Sequence, residues 1–111
     1  MKDLYNKSKY HWGSGLWKFI HSITIVDSDN TEYIYNTHKH IINILHNIVN
    51  IFPCSLCIAK YKEHLQKLDK LDLTQSMVLF YWSVDLHNDV NKKLNKPMWS
   101  YESARRELCT N

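Results

Sequence analysis

Little in this chain would break it up. Its 111 residues include two glycines and two prolines, with no internal repeat and no Gly/Ser-rich linker. That argues against a disordered tail and for one domain spanning residues 1–111. No apolar run approaches the roughly 20 residues that cross a bilayer. The opening MKDLYNKSKYHWGSG also lacks the apolar stretch of a cleaved secretory signal. The expectation is a chain that stays out of membranes and in the cytoplasm. An excess of one charge is missing too: 14 basic against 11 acidic residues leave +3, too weak to argue for general nucleic-acid binding. Only Lys92, Lys93 and Lys96 form a cluster, either a solvated helix face or a local site for the phosphates of a small cofactor. Cysteines number three, an odd count that excludes a fully paired extracellular framework.

What is present is 44% hydrophobic and 13% aromatic, enough to build a core. At this size the surface-to-volume ratio still leaves modest stability, which a tight cofactor or a dimer partner would raise. Apolar residues recur at helical spacing almost throughout. Ile34, Ile41, Ile44, Leu45 and Ile48 form an i, i+3, i+4, i+7 stripe, which predicts a long amphipathic helix over Thr31 to Asn50. Met77, Phe80, Tyr81, Val84, His87 and Asn91 continue the rhythm in a second long helix that must end by Asn95 and Lys96, because Pro97 disfavours a helical residue before it. A shorter helix should run from Gly15 through Trp17, Ile20 and Ile23 to about Asp27, where DSDN supplies turn and cap residues. Another starts at FPCSLC and runs through Leu56, Tyr61 and Leu65 to Leu68. A short last helix over Ser100 to Leu108, capped by Ser100, completes an all-α four-helix bundle with a short fifth helix. The one strand candidate, SITIVD, is too short and isolated to make a sheet.

Cys54 and Cys57 lie three positions apart, with two residues between them, in FPCSLC. At the opening of a helix, unpaired N–H groups and the positive end of the dipole stabilise a thiolate. Cys57 is one turn on, close enough to form a small disulfide ring that exchanges readily. A zinc site would need two further ligands, yet there is no second C-x-x-C, Cys109 stands alone, and His38 and His40 diverge on their helix. A thioredoxin-like domain would need a strand before the motif, where this chain has a helix.

The order HWGSGLWKFIH, FPCSLC, HNDVNKKLNKP resembles the Erv/ALR family of FAD-linked sulfhydryl oxidases, whose pattern is W-G-x-x-x-W with a following His, C-x-x-C, and H-N-x-V-N with a nearby K-P. The match spans residues 11–97, and the short length looks most like the versions carried by large DNA viruses. The resemblance implies FAD cradled in the helical bundle, with Cys54 attacked by a substrate dithiol and Cys57 meeting the flavin as charge-transfer partner. It further implies that reduced flavin passes electrons to dioxygen, giving hydrogen peroxide, with no metal.

Carried onto this sequence, the resemblance makes Trp12, Gly13, Trp17 and His21 cofactor residues of the first helix. His87, Asn88, Val90, Asn91 and Leu94 follow on the HN helix. His87, Val90 or Asn91, and Leu94 share a helix face, with planar and hydrogen-bonding groups suited to adenine and ribose. Lys93 and Lys96 can neutralise the pyrophosphate. Tyr61 and Trp99 are carried over as well, although an aromatic on a helical stripe is commonly core; Trp82 reads as core and Arg105 as a cofactor candidate like Trp99.

Unlike many family members, the chain has no cysteine pair left for a shuttle, since only Cys109 remains. Electrons should therefore come directly from a separate substrate protein, such as a thioredoxin-like viral protein, in the host cytoplasm or the virion. Family members usually dimerise, so a homodimer is expected. The competing reading is a non-enzymatic helical binding module whose C-x-x-C is a metal clip or a structural staple.

Overall fold

A computed structural model describes residues 15–52 and 55–109. Helix α1 covers residues 15–23 and α2 covers Thr31–Asn47, followed by a 3-10 turn at Ile48–Ile51. Helix α3 covers Ser55–Leu65, with a second 3-10 turn at Leu68–Lys70, and α4 and α5 cover Val78–Lys93 and Tyr101–Cys109. Among the described residues there is no strand, and no helix is long and apolar enough to cross a membrane. The fold is all-helical.

Local chemistry explains where each helix stops. Asn30 caps α2 by accepting the Tyr33 N–H at 3.0 Å, and Glu32 and His46 sit where the helix dipole favours them. The buried face of α2 is Ile34, His38, Ile41 and Leu45. The expected stripe shifts in one respect: Ile44 is 42% exposed, and His38 takes a core seat, with its Nδ1 donating to the Leu73 carbonyl at 2.8 Å. The α-helix gives way to the 3-10 turn after Asn47, short of the expected Asn50. Helix α3 stops at Leu65 rather than Leu68. Helix α1 stops at 23 rather than 27, where the Thr24 hydroxyl turns back onto the Ile20 carbonyl at 2.9 Å.

The segment after α1 is clasped to the start of α4. Met77 N and Ser76 Oγ both donate to the Val26 carbonyl, at 3.1 and 2.7 Å. Met77 itself is left-handed, with φ 67°, a conformation that its buried side chain holds in place.

Helix α4 ends in a Schellman motif. Asn95 adopts φ 58°, its N–H meets the Lys92 carbonyl at 3.3 Å, and the Lys96 N–H reaches the Asn91 carbonyl at 2.8 Å. Pro97 then cannot extend the helix. Ser100 caps α5 as expected, accepting from Ser103 N at 3.0 Å.

The main core gathers Ile20, Leu45, Tyr61, Leu79, Trp82, Leu86 and Val90 from four helices, with Trp17 and Cys57 packed on its edge. Each enclosed Leu or Ile contributes about 1.5–3 kcal/mol. A smaller cluster of Met77, Phe80, Val84 and Ala104 seats α5 on α4, and the Tyr101 hydroxyl adds a bond to Asp85 at 2.5 Å.

Candidate functional site

Two helices far apart in sequence build the site. Trp17 and His21 are one turn apart on α1, and Phe80, Ser83 and His87 are one turn apart along α4. The Trp17 ring lies parallel to that of His87, 4.0 Å between centroids and 6° between planes. His21 stacks beside both, 5.9 Å from Trp17 and 5.1 Å from His87, and meets the edge of Phe80 at 6.1 Å. Its Nε2 is 2.9 Å from His87 Nδ1, and its Nδ1 is 2.8 Å from Ser83 Oγ.

Burial pushes His21 down from 6.5 to about 4, because an imidazolium there would lose its water. His87 falls likewise to about 4, through burial first and then the charges of His21 and Lys96. Both rings are therefore neutral at pH 7.

The two asparagines of HNDVN fold the chain after α4 back onto that helix. Asn88 Nδ2 donates to the Trp99 carbonyl at 2.7 Å, and its Oδ1 accepts the Trp99 N–H at 2.7 Å. One turn on, Asn91 Nδ2 donates to the Pro97 carbonyl at 3.2 Å. These amides thus act on the segment that carries Lys96 and Trp99. Both of those side chains are exposed, as are Lys92, Lys93 and Leu94.

Val90 and Tyr61 are enclosed in the core. The Tyr61 hydroxyl donates to the Leu45 carbonyl, and its ring meets Phe52 at 4.4 Å and Trp82 at 6.0 Å. Trp82 is buried, and its indole donates to the His64 carbonyl at 2.8 Å. Arg105 is exposed on α5. Trp12, Gly13 and Cys54 lie outside the described residues.

Cys57, in the first turn of α3, is half-buried and disulfide-bonded. A sulfur in that state has no thiolate to give a metal, and among the described residues no group of three His, Cys, Asp or Glu side chains is placed to hold an ion. Sequence reasoning missed three parts of the site: Ser83, the tethering role of Asn88 and Asn91, and the His64–Asp89 pair at 3.0 Å that ties α3 to α4. The signal for Ser83 was there, a lone small hydroxyl in the apolar run VLFYWSV, one turn before His87.

FAD asks for flat, apolar surfaces for its two ring systems and for cations near its two phosphates. The near-parallel Trp17 and His87 rings, with Lys92 and Lys93 exposed on the last turn of α4 and Lys96 exposed just after it, fit both demands.

An all-helical domain that sets a disulfide-bonded cysteine in the first turn of one helix, with a tryptophan–histidine stack on two others, defines a helical thiol–disulfide domain. The Erv1 / Alr family model matches residues 14–108, and the chain belongs to that family. It is 33% identical over 97 residues to an FAD-linked sulfhydryl oxidase of African swine fever virus, covering 86% of this chain and 77% of the relative. To a protein of Acanthamoeba polyphaga mimivirus named "Probable FAD-linked sulfhydryl oxidase" it is 27% identical over 107 residues, covering 87% and 68%. The mitochondrial FAD-linked sulfhydryl oxidase of Saccharomyces cerevisiae is 27% identical over 86 residues, covering 77% and 43%. No solved structure matches the chain.

Proposed function

We propose that this chain is an FAD-dependent thiol oxidase that forms disulfides in substrate proteins, with dioxygen as the final acceptor. The observation that carries the reading is that Trp17, whose ring stacks on His87, and the disulfide-bonded Cys57 both pack against one core. Cys54 is the proposed partner of Cys57, on the C-x-x-C spacing. A substrate thiolate attacks Cys54 Sγ, the Cys54–Cys57 bond breaks, and Cys57 leaves as a thiolate. The second substrate thiol, deprotonated, then attacks the mixed disulfide and frees Cys54. The substrate is now oxidised and the cysteine pair holds its two electrons. FAD, when bound, supplies the acceptor that takes this electron pair and hands it to dioxygen, giving one hydrogen peroxide per protein disulfide. Trp17, His21 and His87 hold the cofactor rings, and Lys96 with Lys92 and Lys93 neutralises its phosphates.

Cys109 is the one cysteine besides the pair in these 111 residues; a thioredoxin-like viral protein in the host cytoplasm or the virion is the dithiol substrate that fits this reading. A second copy of the chain would cover Tyr33 and Ile44, which are exposed on one side of α2.

Purified protein should be yellow, with a flavin absorption band, and should consume oxygen when given a dithiol. Either Cys54→Ala or Cys57→Ala should abolish turnover while leaving the colour. Turnover by both variants at the parent's rate would remove the assignment. Comparing air with argon plus an artificial acceptor checks dioxygen as the oxidant, and sedimentation of an Ile44→Glu variant against the parent checks the dimer.

A further inference from the structure

We infer that Ser83 fixes the tautomers of both site histidines, so that His87 offers the cofactor a hydrogen-bond acceptor at Nε2 and takes only a donor group there. Ser83 Oγ is 2.6 Å from the Phe80 carbonyl. A carbonyl oxygen only accepts, so the single serine proton lies between them. The Thr24 hydroxyl, 3.3 Å from Ser83 Oγ, is nearer to the Ile20 and His21 carbonyls at 2.9 and 3.0 Å and donates there. Ser83 Oγ therefore has no proton for His21 Nδ1 at 2.8 Å, and His21 must donate.

A neutral ring protonated at Nδ1 carries a bare lone pair at Nε2. Facing that lone pair at 2.9 Å is His87 Nδ1, which must in turn supply the proton. Its own Nε2 is left bare, with no partner among the described residues. The doubly protonated alternative for His21 is opposed by burial, which makes the charged ring costly. Thus a serine that is fully enclosed dictates the polarity of a ring edge two steps away. It is a positioning residue.

The last step rests on the FAD reading. A bare imidazole nitrogen pairs with a hydroxyl or an amino N–H and repels an anionic oxygen. Of the groups that FAD carries, His87 Nε2 therefore accepts from a sugar or ribityl hydroxyl or from the adenine amino group. The phosphates are left to the lysines.

Ring-nitrogen NMR on the purified protein with 15N-labelled histidine, before and after FAD is added, tests the relay directly. Both His21 and His87 should show a pyrrole-type Nδ1 and a pyridine-type Nε2. Ser83→Ala removes the acceptor, and both rings should shift toward the Nε2-protonated form while the FAD dissociation constant rises ~10-fold, the usual cost of one mispaired buried hydrogen bond. Ser83→Thr keeps the oxygen and should retain parent tautomers and affinity. The relay is overturned if parent His21 is protonated at Nε2, a measurement that needs no variant to fold, or if Ser83→Ala leaves both tautomers unchanged. The two readings fail separately. A protein that takes up no FAD but has Nδ1-protonated rings loses the cofactor assignment and keeps the relay; a yellow protein with the opposite tautomers does the reverse.

Discussion

Asn88 grips the backbone of Trp99 with both ends of its amide, donating to the carbonyl and accepting from the N–H at 2.7 Å each. The side chain thus completes, across 11 residues, the kind of paired bond that a neighbouring strand would make. It holds the return segment against α4 in place of secondary structure.

Removing that grip should free the segment. Asn88→Ala should cost about 1–2 kcal/mol for two partly exposed bonds and raise the amide exchange rate of Trp99 well above that of α4. Asn88→Asp keeps the acceptor but sets an oxygen against the Trp99 carbonyl, so it should recover little of the loss. Urea melts and hydrogen exchange read both effects.

Acid should loosen the fold through the histidine pair. His21 and His87 titrate near 6.5 when unfolded and near 4 when folded, so the unfolded chain binds more protons between those values. Stability that is fully present above pH 6.5 is therefore lost as pH falls toward 4, and this contribution levels off below that. Denaturant midpoints taken across that window should fall, and His21→Phe should flatten the dependence.

Tyr61→Phe separates packing from cofactor contact. The ring is fully enclosed and its hydroxyl is bonded to the Leu45 carbonyl, so losing the hydroxyl should destabilise the protein by about 1–2 kcal/mol. FAD affinity, measured by fluorescence titration, should stay at the parent value.

Asn95 is a position where the chain is improvable. Its φ of 58° suits glycine better than any side chain, so Asn95→Gly should leave stability equal or raise it by a few tenths of a kcal/mol. Asn95→Val should lower it by about 1 kcal/mol or more, because a β-branched residue resists that conformation. Thermal melts of the two variants give the comparison.

Helix number and type were legible because period and punctuation agreed: DSDN before α2, Pro97 after α4 and Ser100 before α5 each mark a boundary that the structure keeps. Boundaries slipped where tertiary contacts intervened. Ile44 matched the apolar rhythm of α2 yet faces out, since a period alone does not say how wide the covered face is. The core seat of His38 is not legible because nothing local announces a partner 35 residues away. The same holds for the site. Trp17, His21 and His87 were readable from their motifs, while Ser83 and the bonds from Asn88 and Asn91 to later backbone depend on how separate segments meet. A linear pattern carries no record of such meetings.

The Val26 carbonyl, which takes two donors from the residues just before α4, acts as a keystone for the Trp17–His87 stack. One residue inserted between α1 and Val26 would rotate the first helix relative to its anchor and slide the indole off the imidazole. The same insertion a few positions later, before α2, would be absorbed as slack, so tolerance to lengthening should change abruptly at that carbonyl.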